Sequence, residues 1–310
     1  MRISIMASIE DILQNWNQEF SHSYPLTSRL LDEKIISSPH TVSSGSYSLY
    51  EADQYIGTIV LKYFAGNHDA YNNLAYIAFL FVAKAFRNQG YGKALLEDIL
   101  CIVRNARKKR LYCGTDFDCL FSGVFVDNNP KTHMFFQKRN FEHTGTNYNL
   151  ICRKKQILDS DSVIYRRMTC ENEKQELLEL IIGNFSYRWY YEVKQLSAEE
   201  LVVAEIDERI IGFVRLSQPK FRKLGNSTNL YPLYNCLGGI GPLGVIPEHQ
   251  KFGIGKNLVK YAVNVLFDMG CSEILVDWTG LIDFYKKCGF EEITNQFEIY
   301  QMIIKEELDG

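Results

Sequence analysis

The succession of apolar and polar positions predicts strands and helices in a defined order. In the second half, Leu201-Val202-Val203-Ala204-Glu205-Ile206 and Ile210-Ile211-Gly212-Phe213-Val214-Arg215-Leu216 are rich in β-branched residues and separated by Asp207-Glu208-Arg209, as in a hairpin. Before them, Leu177, Leu178, Ile181 and Ile182 recur at the spacing of one helix face. After them come a strand ending at Val245, a glycine-containing turn, a helix over about Gly253 to Asp268 and a strand from Glu273 to Trp278. A short helix from Leu281 to Lys287 and a closing strand from Phe297 to Ile304 complete the pattern. The order implies a mixed α/β sheet with helices on its faces.

The same pattern occurs twice. Leu80-Phe81-Val82 followed by Arg87-Asn88-Gln89-Gly90-Tyr91-Gly92-Lys93 answers to Leu243-Gly244-Val245 followed by Gln250-Lys251-Phe252-Gly253-Ile254-Gly255-Lys256, at a constant offset of 163. Phe135-Phe136-Gln137-Lys138-Arg139-Asn140-Phe141 answers to Phe284-Tyr285-Lys286-Lys287-Cys288-Gly289-Phe290 at an offset of 149, so the first copy holds about fourteen extra residues, expected around Tyr112 to Asn128. Tyr47–Tyr50 and Tyr55–Tyr63 match the hairpin. The period is too long for a solenoid and reads as one fold used twice. The polar stretch from Arg153 to Ser162 separates the copies, giving expected domains over 1–155 and 162–310.

Composition narrows the function. The chain has 310 residues with 34 Lys+Arg against 37 Asp+Glu, a net charge of -3 without the basic stripe of a general nucleic-acid binder. No apolar run reaches the roughly 18 to 20 residues of a membrane-spanning helix, and the N-terminus lacks the pattern of a secretory signal. The eight cysteines include no Cys-x-x-Cys pair and the six histidines show no metal spacing, so the expectation is a cytoplasmic protein with reduced thiols and no metal.

A strand, a Gln-x-x-Gly-x-Gly turn and a helix present unpaired N–H groups where the helix dipole favours negative charge, which is a pyrophosphate cradle. Gly253 and Gly255 permit the turn and a close approach, while Lys251 and Lys256 add charge. An ordinary helix-opening turn has the same local pattern, but its repetition in order with Phe-(Phe/Tyr)-x-Lys-x-x-Phe gives it context. A dinucleotide site of the Gly-x-Gly-x-x-Gly kind lacks its acidic residue at the required spacing.

With these motifs the chain resembles the GCN5-related N-acetyltransferase (GNAT) family over nearly its whole length. The resemblance implies two tandem α/β domains, each a mixed, mostly antiparallel splayed sheet flanked by helices, with acetyl-CoA as cosubstrate. It implies a pantetheine arm on the backbone of Leu243 and Val245 and a pyrophosphate on Gln250, Lys251, Gly253, Ile254, Gly255 and Lys256. Tyr285 stands where the family commonly places the proton donor to the coenzyme A sulfur, whereas the first copy has Phe136, which has no proton to give. The C-terminal copy is therefore the expected catalyst and the N-terminal copy a degenerate partner.

Residues 236–242 offer no carboxylate as a base, leaving water or Asp277, which either takes the amine proton or orients the ammonium group. Asp277 could equally cap the following helix. Trp278, Tyr24, Tyr231 and Tyr234 are candidates for the acceptor groove, or else core aromatics. The chain resembles tandem bacterial glucosamine/glucosaminide N-acetyltransferases of cell-wall sugar salvage, which implies a small amine acceptor, an amino sugar first. An aminoglycoside, polyamine or amino acid acceptor, and a sensor that binds acetyl-CoA without turnover, are the alternatives. The sequence leaves the oligomeric state open.

Overall fold

The computed structural model describes residues 1–126 and 130–305. The first half runs β1 (Arg2–Ser4), α1 (Ile9–Phe20), α2 (Ser28–Leu31), β2 (Tyr47–Glu51), β3 (Gln54–Lys62), α3 (Asp69–Asn72) and β4 (Leu74–Val82). It continues with α4 (Tyr91–Asn105), β5 (Arg110–Cys113), β6 (Val124–Phe125), α5 (Pro130–Gln137) and β7 (Glu142–Cys152). The second half holds β8 (Ile164–Arg167), α6 (Glu171–Asn184), α7 (Tyr187–Lys194), β9 (Leu201–Ile206), β10 (Arg209–Ser217) and β11 (Leu237–Val245). It ends with α8 (Ile254–Asp268), β12 (Glu273–Thr279), α9 (Ile282–Lys287) and β13 (Glu292–Ile303). Among the described residues β4–β5 and β11–β12 pair parallel, and β1–β2, β2–β3, β3–β4, β5–β13, β6–β13, β7–β12, β8–β9, β9–β10 and β10–β11 pair antiparallel. Each half is thus built on a mixed, mostly antiparallel sheet with helices against it.

Two compact units result, and they are not simple halves. One joins Met1–Asn147 to the chain from Gln296 onward, and the other is Tyr148–Asn295. The end of β7, Leu150 to Cys152, pairs with Val276 to Ile274 of β12 in the second unit, whereas Tyr300 to Ile303 of β13 pair with Cys113 to Arg110 of β5 in the first. Each copy's sheet is thus completed by the other copy's closing strand. The boundaries expected at 155 and 162 follow the repeat along the sequence, and the exchange of closing strands makes the contact-defined units differ from it.

Strand alternation explains the layers in the second unit. Val202 and Ala204 of β9 pack with Leu258, Val259, Ala262, Val263 and Leu266 of α8, while Leu201 and Val203 face the other way, against Leu177, Leu178 and Ile181 of α6. In the first unit, α4 packs Leu95, Leu96, Ile99 and Val103 against Ile59, Leu61, Ala75 and Ile77, and Trp16 of α1 packs on Phe79 and Phe81. The extra residues expected around Tyr112–Asn128 form the segment after β5, of which Asp127 and Asn128 lie outside the described residues. Buried Lys62 holds that segment, donating from Nζ to Asp116 Oδ2 at 2.5 Å and to the carbonyls of Phe117 and Asp118.

No helix among the described residues is long and apolar enough to cross a membrane, and no group of three or more His, Cys, Asp or Glu side chains there could hold a metal ion. The eight cysteines are free thiols.

Candidate active site

In the second unit, two neighbouring parallel strands part company. β11 pairs with β12 from Leu237–Glu273 to Ile240–Val276 and no further, because β12 continues along β7 while β11 stays with β10. The β10–β11 register shifts where β11 passes Gly241 and Pro242, and Trp278 takes φ 50° where β12 loses its regular pairing. A wedge opens between the strands as a result. The Ile246 N–H donates to the Ile211 carbonyl, so by alternation Gly244 also turns its polar groups to β10, and Leu243 and Val245 turn theirs to the open edge.

The turn after β11 is shaped by backbone conformation. Lys251 has φ 70° and Gly253 φ 84°, and α8 begins at Ile254. The N–H groups of Lys251 to Gly255 have no acceptor among the described residues, the first filled positions being Lys256 and Asn257 on the Gly253 carbonyl. Alternating conformations of this kind curl successive N–H groups into an anion-binding nest, here at the positive end of a helix. Gly253 suits the left-handed conformation because it has no Cβ.

Two side chains assigned to the phosphate by sequence have other partners. The Gln250 amide donates to the Val245 carbonyl at 2.8 Å, tying the turn to the strand it leaves. The Lys256 ammonium pairs with Asp159, which Lys260 also contacts, and Asn257 binds the Asp159 backbone. The hydrogen bond to Asp159 raises the Lys256 pKa. Lys251 has no ion-pair partner among the described residues, so the cradle is made mainly of backbone, with Lys251 as its nearby cation.

Tyr285 is 6% exposed, with its ring 5.0 Å from Phe284 and 5.6 Å from Phe290. Burial, and then the charges of Cys288 and Asp277, push its pKa well above the ordinary tyrosine value, so the hydroxyl is protonated at neutral pH. It has no hydrogen-bond partner among the described residues. Asp277 lies on β12 at the wedge, its Oδ1 about 4.0 Å from where a side chain on Gly241 would begin. A protonated phenol thus lies within electrostatic reach of Asp277, the carboxylate at the place where the strands separate.

The aromatic candidates divide. Trp278 follows Asp277, and one face of its ring is covered by the Arg188 guanidinium of α7 at 4.3 Å, a contact no motif announced. Half-buried Tyr231 opens a short turn, Tyr231–Leu233. Tyr234 is bound to Thr294 and feels Glu273, the first residue of β12, which strand geometry puts about 13 Å from Asp277. Tyr24 belongs to the first unit, buried and stacked on Phe125 at 4.3 Å. Of the four, only Trp278 adjoins Asp277 along the chain.

The first unit repeats the frame without the same chemistry. β4 and β5 pair only from Leu74–Arg110 to Ile77–Cys113; Asn88 and Gly90 have φ 62° and 90°; and Arg87 Nε donates to the Val82 carbonyl at 2.8 Å. Cys113 ends its ladder as Val276 ends the other, so Gly114 stands where the second copy has Asp277. Phe136 stands where it has Tyr285. The Gly114 correspondence escapes sequence reading because the extra residues of the first copy begin there and break the constant offset.

The family model described as Acetyltransferase (GNAT) family matches residues 9–141 and 167–290. The chain is 30% identical over 90 residues to the uncharacterized N-acetyltransferase YjhQ of Escherichia coli (strain K12), a match covering 29% of this chain and 45% of that protein. Its fold is similar to a GCN5-related glucosamine N-acetyltransferase region of a fungal multi-domain GH3 β-N-acetylglucosaminidase, with a TM-score of 0.84 and 18% identity, covering 97% of this chain and 38% of that one. A tandem GNAT protein from the clavulanic acid biosynthesis pathway aligns over 99% of both chains, with a TM-score of 0.69 and 12% identity. The chain thus spans less than half the length of the curated relative and of the fungal protein. With the wedge, the nest and the repeated frame, and with the model matching both halves of the sequence, the chain belongs to the acetyltransferase (GNAT) family.

Proposed function

We propose that the second unit transfers acetyl from acetyl-CoA to the primary amine of a small acceptor, glucosamine or a glucosaminide first, in cell-wall amino-sugar salvage in the cytoplasm. The observation that carries this reading is the convergence in one unit of a nest without acceptors, an open strand edge, a protonated Tyr285 and Asp277. The residues present fit the cosubstrate: the nest from Lys251 to Gly255 takes the pyrophosphate, and the edge at Leu243 and Val245 takes the amide-bearing arm. Acetyl-CoA supplies an activated thioester. The amine nitrogen bonds to the carbonyl carbon and sheds a proton to Asp277, N–H groups of the open edge stabilise the oxyanion, and the C–S bond breaks. Tyr285 gives its proton to the departing sulfur and regains one from solvent.

The amino-sugar acceptor is supported by the fold likeness to the fungal glucosamine N-acetyltransferase region and by Trp278 next to Asp277, one face toward Arg188. The first copy, with Gly114 and Phe136 in place of the two reacting groups, is a degenerate partner. The test is release of coenzyme A thiol with glucosamine, chitobiose-type glucosaminides, an aminoglycoside, spermidine and a lysine peptide. The reading expects turnover with the amino sugars; turnover confined to another amine overturns the acceptor, and binding without turnover on any of them overturns the activity.

A further inference from the structure

The first unit contains a cleft of about 870 Å³ whose lining lies entirely within that unit. One end is the Asn88–Gly90 turn before α4, where the N–H groups of Asn88 to Gly92 have no acceptor among the described residues. Its middle follows β4: Ala83 donates to the Ile56 carbonyl, so Leu80 and Val82 turn their polar groups to the edge that β5 has left. Among the described residues the lining holds six cationic side chains and one carboxylate, Glu19, which Arg87 already binds with both terminal nitrogens at 2.7 and 2.5 Å. This charge balance favours an anionic ligand.

The far end is different in kind. Past Cys113 and Gly114 the cleft is walled by the rings of Phe20, Phe79, Phe81, Phe121 and Phe125, with Trp16 packed against all five. No ionisable group stands at Gly114 or Phe136, and burial pushes the Cys113 thiol well above its ordinary pKa, so it is not the thiolate a nucleophile requires. An anion-binding end, a strand edge and an aromatic end, with nothing to react, describe a holding site.

We propose that the first unit binds, without turnover, a coenzyme A thioester whose acyl group is apolar and larger than acetyl. The phosphates lie on the nest, the arm along Leu80 and Val82, and the acyl group among the phenylalanine rings. The proposal rests on the assignment of catalysis to the second unit, and the test separates the two.

The full-length Gly253→Asp protein, whose second nest is blocked, is titrated calorimetrically with coenzyme A, acetyl-CoA, butyryl-CoA and hexanoyl-CoA, and the thioester is recovered afterwards in the presence of glucosamine. The expected result is one site per chain, affinity rising about fourfold per added CH₂, and intact thioester. Adding Gly90→Asp abolishes this binding; should that variant fold poorly, Lys93→Glu with Lys138→Glu on the exposed rim weakens it more than tenfold. Absence of binding in the Gly253→Asp protein while the wild type still acetylates amines overturns the proposal alone. Equal affinity for coenzyme A and hexanoyl-CoA overturns the acyl assignment, with "an ordinary cofactor site" as the result. Consumption of thioester by the Gly253→Asp protein overturns both the holding site and the placement of catalysis.

Discussion

The Gln250 side-chain amide donates to the Val245 carbonyl at 2.8 Å, so the first residue of the glycine turn closes the turn onto its own strand instead of reaching out to a phosphate. Arg87 makes the equivalent bond to Val82. Replacing Gln250 by Ala removes one neutral hydrogen bond, about 1 kcal/mol. The expected outcome is a roughly fivefold rise in KM for acetyl-CoA with kcat little changed, read from steady-state kinetics. A fall in kcat at unchanged KM would show that Gln250 acts on the reaction itself.

Tyr285 is held protonated by burial, and this gives a pH dependence with a definite sign. A required acid whose pKa is raised keeps its proton further into the alkaline range, so kcat does not decline on account of Tyr285 near the ordinary tyrosine value of about 10. Tyr285→Phe lowers kcat by roughly 10²-fold or more and leaves acetyl-CoA affinity nearly unchanged. Full activity of the variant across pH would remove the proton-donor role.

Asp277 lies within β12, and the N-cap of α9 is Leu281 with no side-chain capping bond, so the capping role that the sequence also allowed falls away. Asn keeps the size of Asp but accepts no proton at neutral pH. Asp277→Asn is therefore expected to keep its melting temperature and lose roughly 10²-fold in kcat/KM. Unchanged kcat/KM would remove the base role.

Lys62 is buried with Asp116 in the first unit. Lys62→Met removes the ammonium from beside that buried carboxylate and is expected to destabilise the unit by about 3–5 kcal/mol, seen in chemical denaturation. A loss below 1 kcal/mol would mean that the Asp116 segment is held by other contacts.

The parts of this fold visible in the sequence were those that require a particular residue. Gly90 and Gly253 recur because each sits at a left-handed position opening a helix, and the backbone fixes the spacing around them. The exchange of closing strands was not visible: the alternation of Phe297–Ile304 suits pairing with β5 as well as with a strand of its own copy, and nothing in a period of two names the partner. Nor could spacing reveal that Lys256 turns to Asp159, since the segment holding Asp159 reads only as a polar linker. Tyr285 was legible from its motif, but the burial that keeps it protonated depends on Phe284 and Phe290 closing around it.

Amine-dependent thiol release from acetyl-CoA, measured side by side for the wild type and Gly253→Asp, decides whether acetyl transfer takes place in the second unit. Gly253 has φ 84°, which strains the backbone of any other residue, but open space where a side chain would begin, so Asp there puts a negative charge at the nest without a steric clash. The expected result is turnover of glucosamine by the wild type and a loss of more than about 10²-fold in kcat/KM in the variant. Undiminished turnover by a folded Gly253→Asp protein would contradict it.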